Sequence, residues 1–388
     1  MKKTLALLLA AAFAVPAFAG NILSNVETYG EIETIGFMTS SKDENGTKSV
    51  ANRTLFGVSA DLVEDVRANL TFAYTNVWED TEGDNVNRYL RNIEVAEANV
   101  VVSNIFGALE AKVGRQFYGN EDSPVMYMGP KHDRYATLDD LESVDAALIS
   151  YAGDSFAMSA LYAQLVDQDE DYGIDHARMT GLTFDYAFTN NLTAGVYWYD
   201  LLDQNDSQDH IGIWGGKVAY QNEAAKLGVE YAKNYLGHVF GHNNEGWMLK
   251  ADAAMNFDME KLALTPRITY YHEEKGFEDN GNYYPGIIIG NMKAVMENDD
   301  EIFGDNLDYR IFNAGIDFGF KALEKVTFSF DYLNVKLNNH WMGNEYDLTA
   351  KYQHNDYVSF TLGGGIFANI PDYSGDVYAA QLGMLIKF

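Results

Sequence analysis

Apolar and polar residues take turns along most of this chain, and the repeat is two residues. In 326–332, Val326, Phe328, Phe330 and Tyr332 alternate with Thr327, Ser329 and Asp331. In 247–257, Trp247, Leu249, Ala251, Ala253, Met255 and Phe257 alternate with Met248, Lys250, Asp252, Ala254 and Asn256. In 69–78, Leu70, Phe72, Tyr74 and Trp78 alternate with Asn69, Thr71, Ala73 and Thr75. Residues two apart in a strand share a face, so each segment predicts a strand with one greasy side. The segments are 26–39, 49–62, 66–78, 89–102, 107–118, 143–152, 155–166, 175–188, 191–202, 209–221, 225–237, 245–257, 261–273, 307–320, 324–337, 343–354, 356–368 and 376–388. They amount to about 18 strands, with about 16 as the alternative count. One stretch fits poorly: Glu31 and Glu33 share parity with Ile35 and Phe37. A bulge or a rim position is the expected reason.

Alternation does not say which face is wet. A soluble sandwich would bury the greasy side, whereas a transmembrane barrel would turn it to lipid. The breaks between segments favour lipid. Val63-Glu64-Asp65, Gly153-Asp154, Thr189-Asn190, Asp258-Met259-Glu260, Ala322-Leu323 and Asn355 are tight, and the intervening breaks, such as 79–88, 119–142 and 274–306, are long and polar. Short turns at one end and long loops at the other are the expected asymmetry of an outer-membrane barrel. The last strand ends on Phe388, which resembles the terminal aromatic signature of such barrels.

The N-terminus agrees. Lys2 and Lys3, an apolar run from Leu5 to Val15 and Ala17-Phe18-Ala19 read as a secretory signal peptide over residues 1–19, leaving 20–388 as one barrel domain. The apolar run is too short to span a bilayer as a helix. Cleavage would leave 25 basic against 57 acidic residues, a net charge of −32. That excess excludes nucleic acid, whose phosphates require surplus Lys and Arg. There is no cysteine, so a secreted chain must hold itself by hydrogen bonding, which a closed barrel does. The 26 Tyr and 22 Phe suit strands and interfacial girdles.

With the greasy side outward, the inward positions include Arg53, Glu97, Glu110, Lys112, Asp185, Lys217, Glu230, Lys250, Asp252, Arg267, Asp317, Asp331 and Lys351. Charges of both signs are tolerated there because the lumen is aqueous. They would either pair and hydrate the wall or set up a transverse field that sorts solutes. About 18 strands enclose a channel-sized bore unless something folds into it. The third long loop, Gly119 to Ser143, is the candidate. It mixes Val125, Met126, Tyr127 and Met128 with Asp122, Lys131, His132, Asp133, Arg134, Asp139 and Asp140. Folding inward would bury the first set and present the second to the pore. The loop 274–306 carries Tyr283-Tyr284-Pro285-Gly286-Ile287-Ile288-Ile289 and suggests a lid, a second constriction or a packed rim.

Val113-Gly114-Arg115-Gln116, then Asp133-Arg134-Tyr135, then Val144 to Tyr151 resemble the alginate-export family of outer-membrane channels and the related phosphate-selective and general porins. The resemblance covers about 40 residues and implies Arg115 and Arg134 as pore residues. Parity with Val113 and Phe117 would point Arg115 outward, so a lumenal Arg115 requires a bulge near Gly114. A strongly acidic chain also departs from an anion-selective pore.

Other constellations carry less. Asp167 to Asp171 has acidic spacing akin to a calcium loop, but its glycine is displaced and a solvated loop is the expected reading. His238 and His242 sit beside Gly237 and Gly241, which oppose the helix a metal pair would require. The eight His residues form no catalytic grouping. The expectation is therefore a non-enzymatic outer-membrane porin of a Gram-negative bacterium without cofactor or metal. It would sit among lipid and lipopolysaccharide as a monomer or homotrimer and pass small hydrophilic solutes or ions. A substrate-selective oligosaccharide channel is the alternative.

Overall fold

The computed structural model describes residues 23–41, 46, 48–79, 93–138, 141–165, 177–203, 210–239, 242–243, 245–277, 281–292, 308–368 and 376–388. The leader expected over 1–19, the acidic stretch 167–171 and the candidate pore residues Asp139 and Asp140 lie outside them. The eighteen long strands are β1 (Ser24–Ser41), β2 (Lys48–Val63), β3 (Val66–Glu79), β4 (Glu94–Ile105), β5 (Leu109–Gln116), β6 (Val144–Ala152), β7 (Phe156–Leu165), β8 (Ala177–Thr189) and β9 (Leu192–Asp203). The ring continues with β10 (His210–Gln221), β11 (Ala225–Val239), β12 (Trp247–Met255), β13 (Leu262–Glu273), β14 (Tyr309–Phe320), β15 (Val326–Leu337), β16 (His340–Gln353), β17 (Val358–Ala368) and β18 (Val377–Lys387). Each pairs antiparallel with its neighbour in sequence, and β18 pairs with β1, so the sheet closes without an edge. Among the described residues no helix is long and apolar enough to cross a membrane.

The greasy face looks outward. Leu348, Leu362 and Leu382 are 56%, 61% and 61% exposed, and Phe330 and Met255 stand on the same outer surface. Aliphatic side chains so bare are costly in water and at home against acyl chains. The seam is sealed at Phe388. Its N–H donates to Gly30 O at 3.0 Å, its own carbonyl accepts from Gly30 N at 2.9 Å, and its ring lies 6.4 Å from Phe56. A Cβ on Gly30 would stand 2.3 Å from Leu55 O, so only glycine fits under that ring.

Two expectations need correction. The connection between β15 and β16, on the long-loop end, is only Asn338-Asn339, with φ of 49° and 64°. Asparagine tolerates that left-handed region, and two such residues make the tight hairpin turn whose twist matches the strands. The inner face is also not polar throughout. Met179, Ile213, Met248, Tyr271, Ile311, Leu333, Val335 and Phe367 point inward toward the long-loop end and form one buried cluster with Val125, Met126 and Met128 and with Ile287, Ile288 and Ile289. The apolar residues of two loops supply the dry partners that these wall positions require.

Candidate functional site: the lumen

The wall carries paired charges around an internal cavity of about 780 Å3 lined by β7 to β14 and by residues 117–126. Lys217 pairs with Asp185 at 3.1 Å. Arg267 bridges Asp317 at 3.2 Å and Asp331 at 2.7 Å. Tyr197 Oη donates to Glu230 at 2.8 Å, and Lys250 lies 4.7 Å from the centre of the Tyr283 ring. Lys112 pairs with Glu97 at 3.4 Å beside it on the ring. The strand pleat alone sets this arrangement, because each of these residues alternates with an outward apolar neighbour. Glu110 shares the inward parity of Lys112 but lies exposed near the short-turn end, where it accepts from Ser103 at 3.2 Å.

The segment between β5 and β6 is built by local turns. Gly119 has φ +92°, and a Cβ there would come within 2.4 Å of Met126 O. Tyr118 and Gly119 pair with Met128 and Tyr127, while Ser123 Oγ accepts from Val125 N and Met126 N at 3.2 Å. Beyond this ribbon the segment bonds to four strands. Arg53 of β2, fully buried, donates to Lys131 O at 2.8 Å. Asp133 N donates to Glu33 of β1 at 2.8 Å, and Lys351 of β16 stands 3.8 Å from the Asp133 carboxylate. Lys250 of β12 donates to Asp122 O at 3.4 Å. The Phe37 and Tyr135 rings stack at 5.4 Å, and Leu138 is buried against Ile35.

Residues 281–292 form a second inserted piece, with helical backbone from Ile288. Glu345 of β16 accepts from Ile288 N at 2.6 Å and Ile289 N at 2.8 Å, and Asp347 accepts from Ile287 N at 2.9 Å. A carboxylate at a helix N-terminus satisfies otherwise orphaned N–H groups and the dipole. Arg134 donates to Gly286 O, and Asn291 Oδ1 accepts from Ala136 N at 2.9 Å, so the two pieces are tied to each other. Burial, outweighing the attraction of Glu345 and Asp133, draws the Arg134 pKa below its usual value.

Arg115 corrects the motif-based expectation. It pairs with Asp145 at 2.9 Å and lies beside Ala98, on the outer face with exposed Val113, while Gln116 is the buried inward residue. Gly114 does have φ +119°, yet its role is close approach, since a Cβ would meet Ala98 O at 2.3 Å; the face alternation passes through it unbroken. Inward acids missing from the sequence candidates include four that meet the loop segments: Glu31, Glu33, Glu345 and Asp347. Parity signals the last two, which alternate with outward Tyr346 and Leu348. Glu31 and Glu33 looked misplaced only because Ile35 and Phe37 beside them were assumed to face lipid. All four point inward, and no bulge interrupts β1 there.

No family model and no curated protein matches the sequence. Solved structures do match the fold. OpdQ of Pseudomonas aeruginosa is 12% identical with a TM-score of 0.62, covering 94% of this chain and 99% of that one. OccK3 (OpdO) of Pseudomonas aeruginosa is 13% identical with a TM-score of 0.59, covering 93% and 96%. OccAB4 of Acinetobacter baumannii is 9% identical with a TM-score of 0.60, covering 95% and 99%. None of the three is named as an alginate-export or phosphate-selective channel. At these identities the likeness is one of architecture: the chain has the closed 18-stranded fold of outer-membrane porins.

Proposed function

We propose that the protein is a passive channel of a Gram-negative outer membrane, narrowed by residues 117–138 folded into the bore, that admits small hydrophilic solutes or ions. The observation that carries this reading is the set of bonds from one segment to β1, β2, β12 and β16. The segment leaves the wall between β5 and β6 and bonds to strands of the other side, from β12 round to β2, and a segment lying outside the mouth would not reach inward residues on all of them. Charged pairs along the remaining wall keep the path hydrated, and the acidic excess concentrates cations near the mouth. A segment over 1–19 would direct the chain to the envelope, where the outer belt contacts lipid and lipopolysaccharide.

Two measurements test it. Replacing residues 121–142 with a short Gly-Ser linker raises single-channel conductance in planar bilayers; an unchanged conductance would overturn the constriction. Reversal potentials in a salt gradient give a weak cation preference, and a clear anion preference would contradict the charge reading. A second reading, selectivity for oligosaccharides, is favoured by Tyr118, Tyr197, Tyr199 and Tyr283 around the cavity, since aromatic faces suit sugar rings. Liposome swelling with sugars of graded size separates the two. Uptake ordered by size alone supports the general pore, and uptake of one sugar class beyond its size supports selectivity.

A further inference from the structure

His132 is held between carboxylates on two different pieces of the molecule. Its Nδ1 lies 2.6 Å from Glu121 Oε1 in the same segment, and its Nε2 lies 2.9 Å from both oxygens of Glu31 on β1. Ionised carboxylates only accept, and a neutral imidazole has one N–H, so both contacts are bonds only when the ring is doubly protonated. With the ring neutral, one nitrogen lone pair would face a carboxylate oxygen. The bridge then becomes a repulsion at the place where the segment meets the wall.

We infer that His132 is a proton-operated latch: charged, it ties the 117–138 segment to β1, and neutral, it lets that segment move and the bore widen. The inference rests on the reading of the segment as a constriction. The charged groups around the ring are Glu31 and Glu33 on β1, Arg53 on β2, Lys387 on β18, and Glu121 and Asp133 in the segment itself, with Lys351 on β16 beside Asp133. Arg53 already neutralises one of the β1 acids, at 2.9 Å from Glu33 and 3.3 Å from Glu31. The remaining acids outnumber the cations, so a proton on His132 is favoured.

The titration follows. Burial, the largest influence, pulls the His132 pKa down, but the bonds to Glu121 and Glu31 outweigh it and push it up from 6.5 to about 9. Reciprocally, the bond to His132 holds Glu121 below its usual range. A raised histidine contributes its tie fully below 6.5 and loses it as pH rises through about 9. Glu121 travels with His132, so the part of the shift that comes from Glu31 on β1 is the part by which proton binding and latching strengthen each other.

Single-channel conductance at about pH 6 and about pH 10 tests the latch in the intact barrel. The wild type is expected to conduct about twofold more at the alkaline value, with a midpoint near that of His132, and His132→Gln to conduct at the higher level at both. A wild type flat with pH, or a His132→Gln variant with the wild-type response, overturns the latch. Should His132→Gln fail to assemble, Glu121→Gln keeps the bond to Glu31 and is expected to move the midpoint toward acid by about one unit. An unmoved midpoint counts against the inference. The linker variant lacking 121–142 separates the two levels. If it conducts no more than the wild type, the constriction falls; if it does conduct more while the wild type is flat with pH, the latch alone falls.

Discussion

Arg53 is fully buried on the inner wall, with Glu33 and Glu31 beside one guanidinium nitrogen and Lys131 O on the other. A buried ion pair of this kind is poor evidence of net stability, because desolvation offsets much of the attraction. Breaking it is another matter. Arg53→Ala leaves buried Glu33 without its cation and Glu31 with His132 alone, and is expected to cost about 3–5 kcal/mol, read from denaturant unfolding in lipid. A triple variant that also removes both acids, adding Glu31→Gln and Glu33→Gln to Arg53→Ala, should recover part of that loss. Parity placed Arg53 on the inner face, but its partners were not legible. They lie 20, 22 and 78 residues away, and nothing local records which loop residue will meet which wall residue.

At the scale of the element, β1 shows why a strand can defeat a simple face assignment. Its inner side is acidic in the middle and apolar toward the long-loop end, because the segment it faces is charged at His132 and Asp133 and apolar at Tyr135 and Leu138. An inner face takes the character of the segment that covers it, apolar against apolar side chains and charged against charges or unpaired N–H groups. The same holds at β16, where Glu345 and Asp347 face the helical start at Ile288 and outward Leu348 lies between two inward residues. Glu345→Ala is expected to leave the Ile288 and Ile289 N–H groups without their acceptor and to remove a carboxylate that attracts Arg134, loosening residues 281–292 by about 1–3 kcal/mol. Faster proteolytic cleavage within that segment, with an unchanged barrel melting temperature, would show it. Leu348→Arg acts on the opposite side of the same strand. It places a charge in the lipid belt and should cost about 2–4 kcal/mol in bilayer unfolding, with no change in conductance.

The molecule as a whole is a ring whose stability and whose bore answer to different residues. Edge-free hydrogen bonding and the outer apolar belt hold the cylinder, and residues 117–138 and 281–292 pack against part of its inner wall. The cation preference expected from reversal potentials belongs to this scale. It depends on summed charge near the mouth and should weaken as salt is raised, because screening shortens the reach of those charges to about 8 Å near physiological ionic strength.

The strand count, the outward apolar side of most strands and much of the inequality of the barrel's two ends were present in the order of residues. Each depends on near neighbours: the pleat repeats every two residues, and a turn is made by the few residues within it. What only the tertiary structure decided is what fills the ring. Arg115 faces out although a motif pointed it inward, Glu31 and Glu33 face in together with Ile35 and Phe37 that read as lipid-facing, and His132 meets a strand 101 residues away. Such contacts are fixed when a closed wall brings distant segments within bonding distance, and period-two alternation carries no information about them.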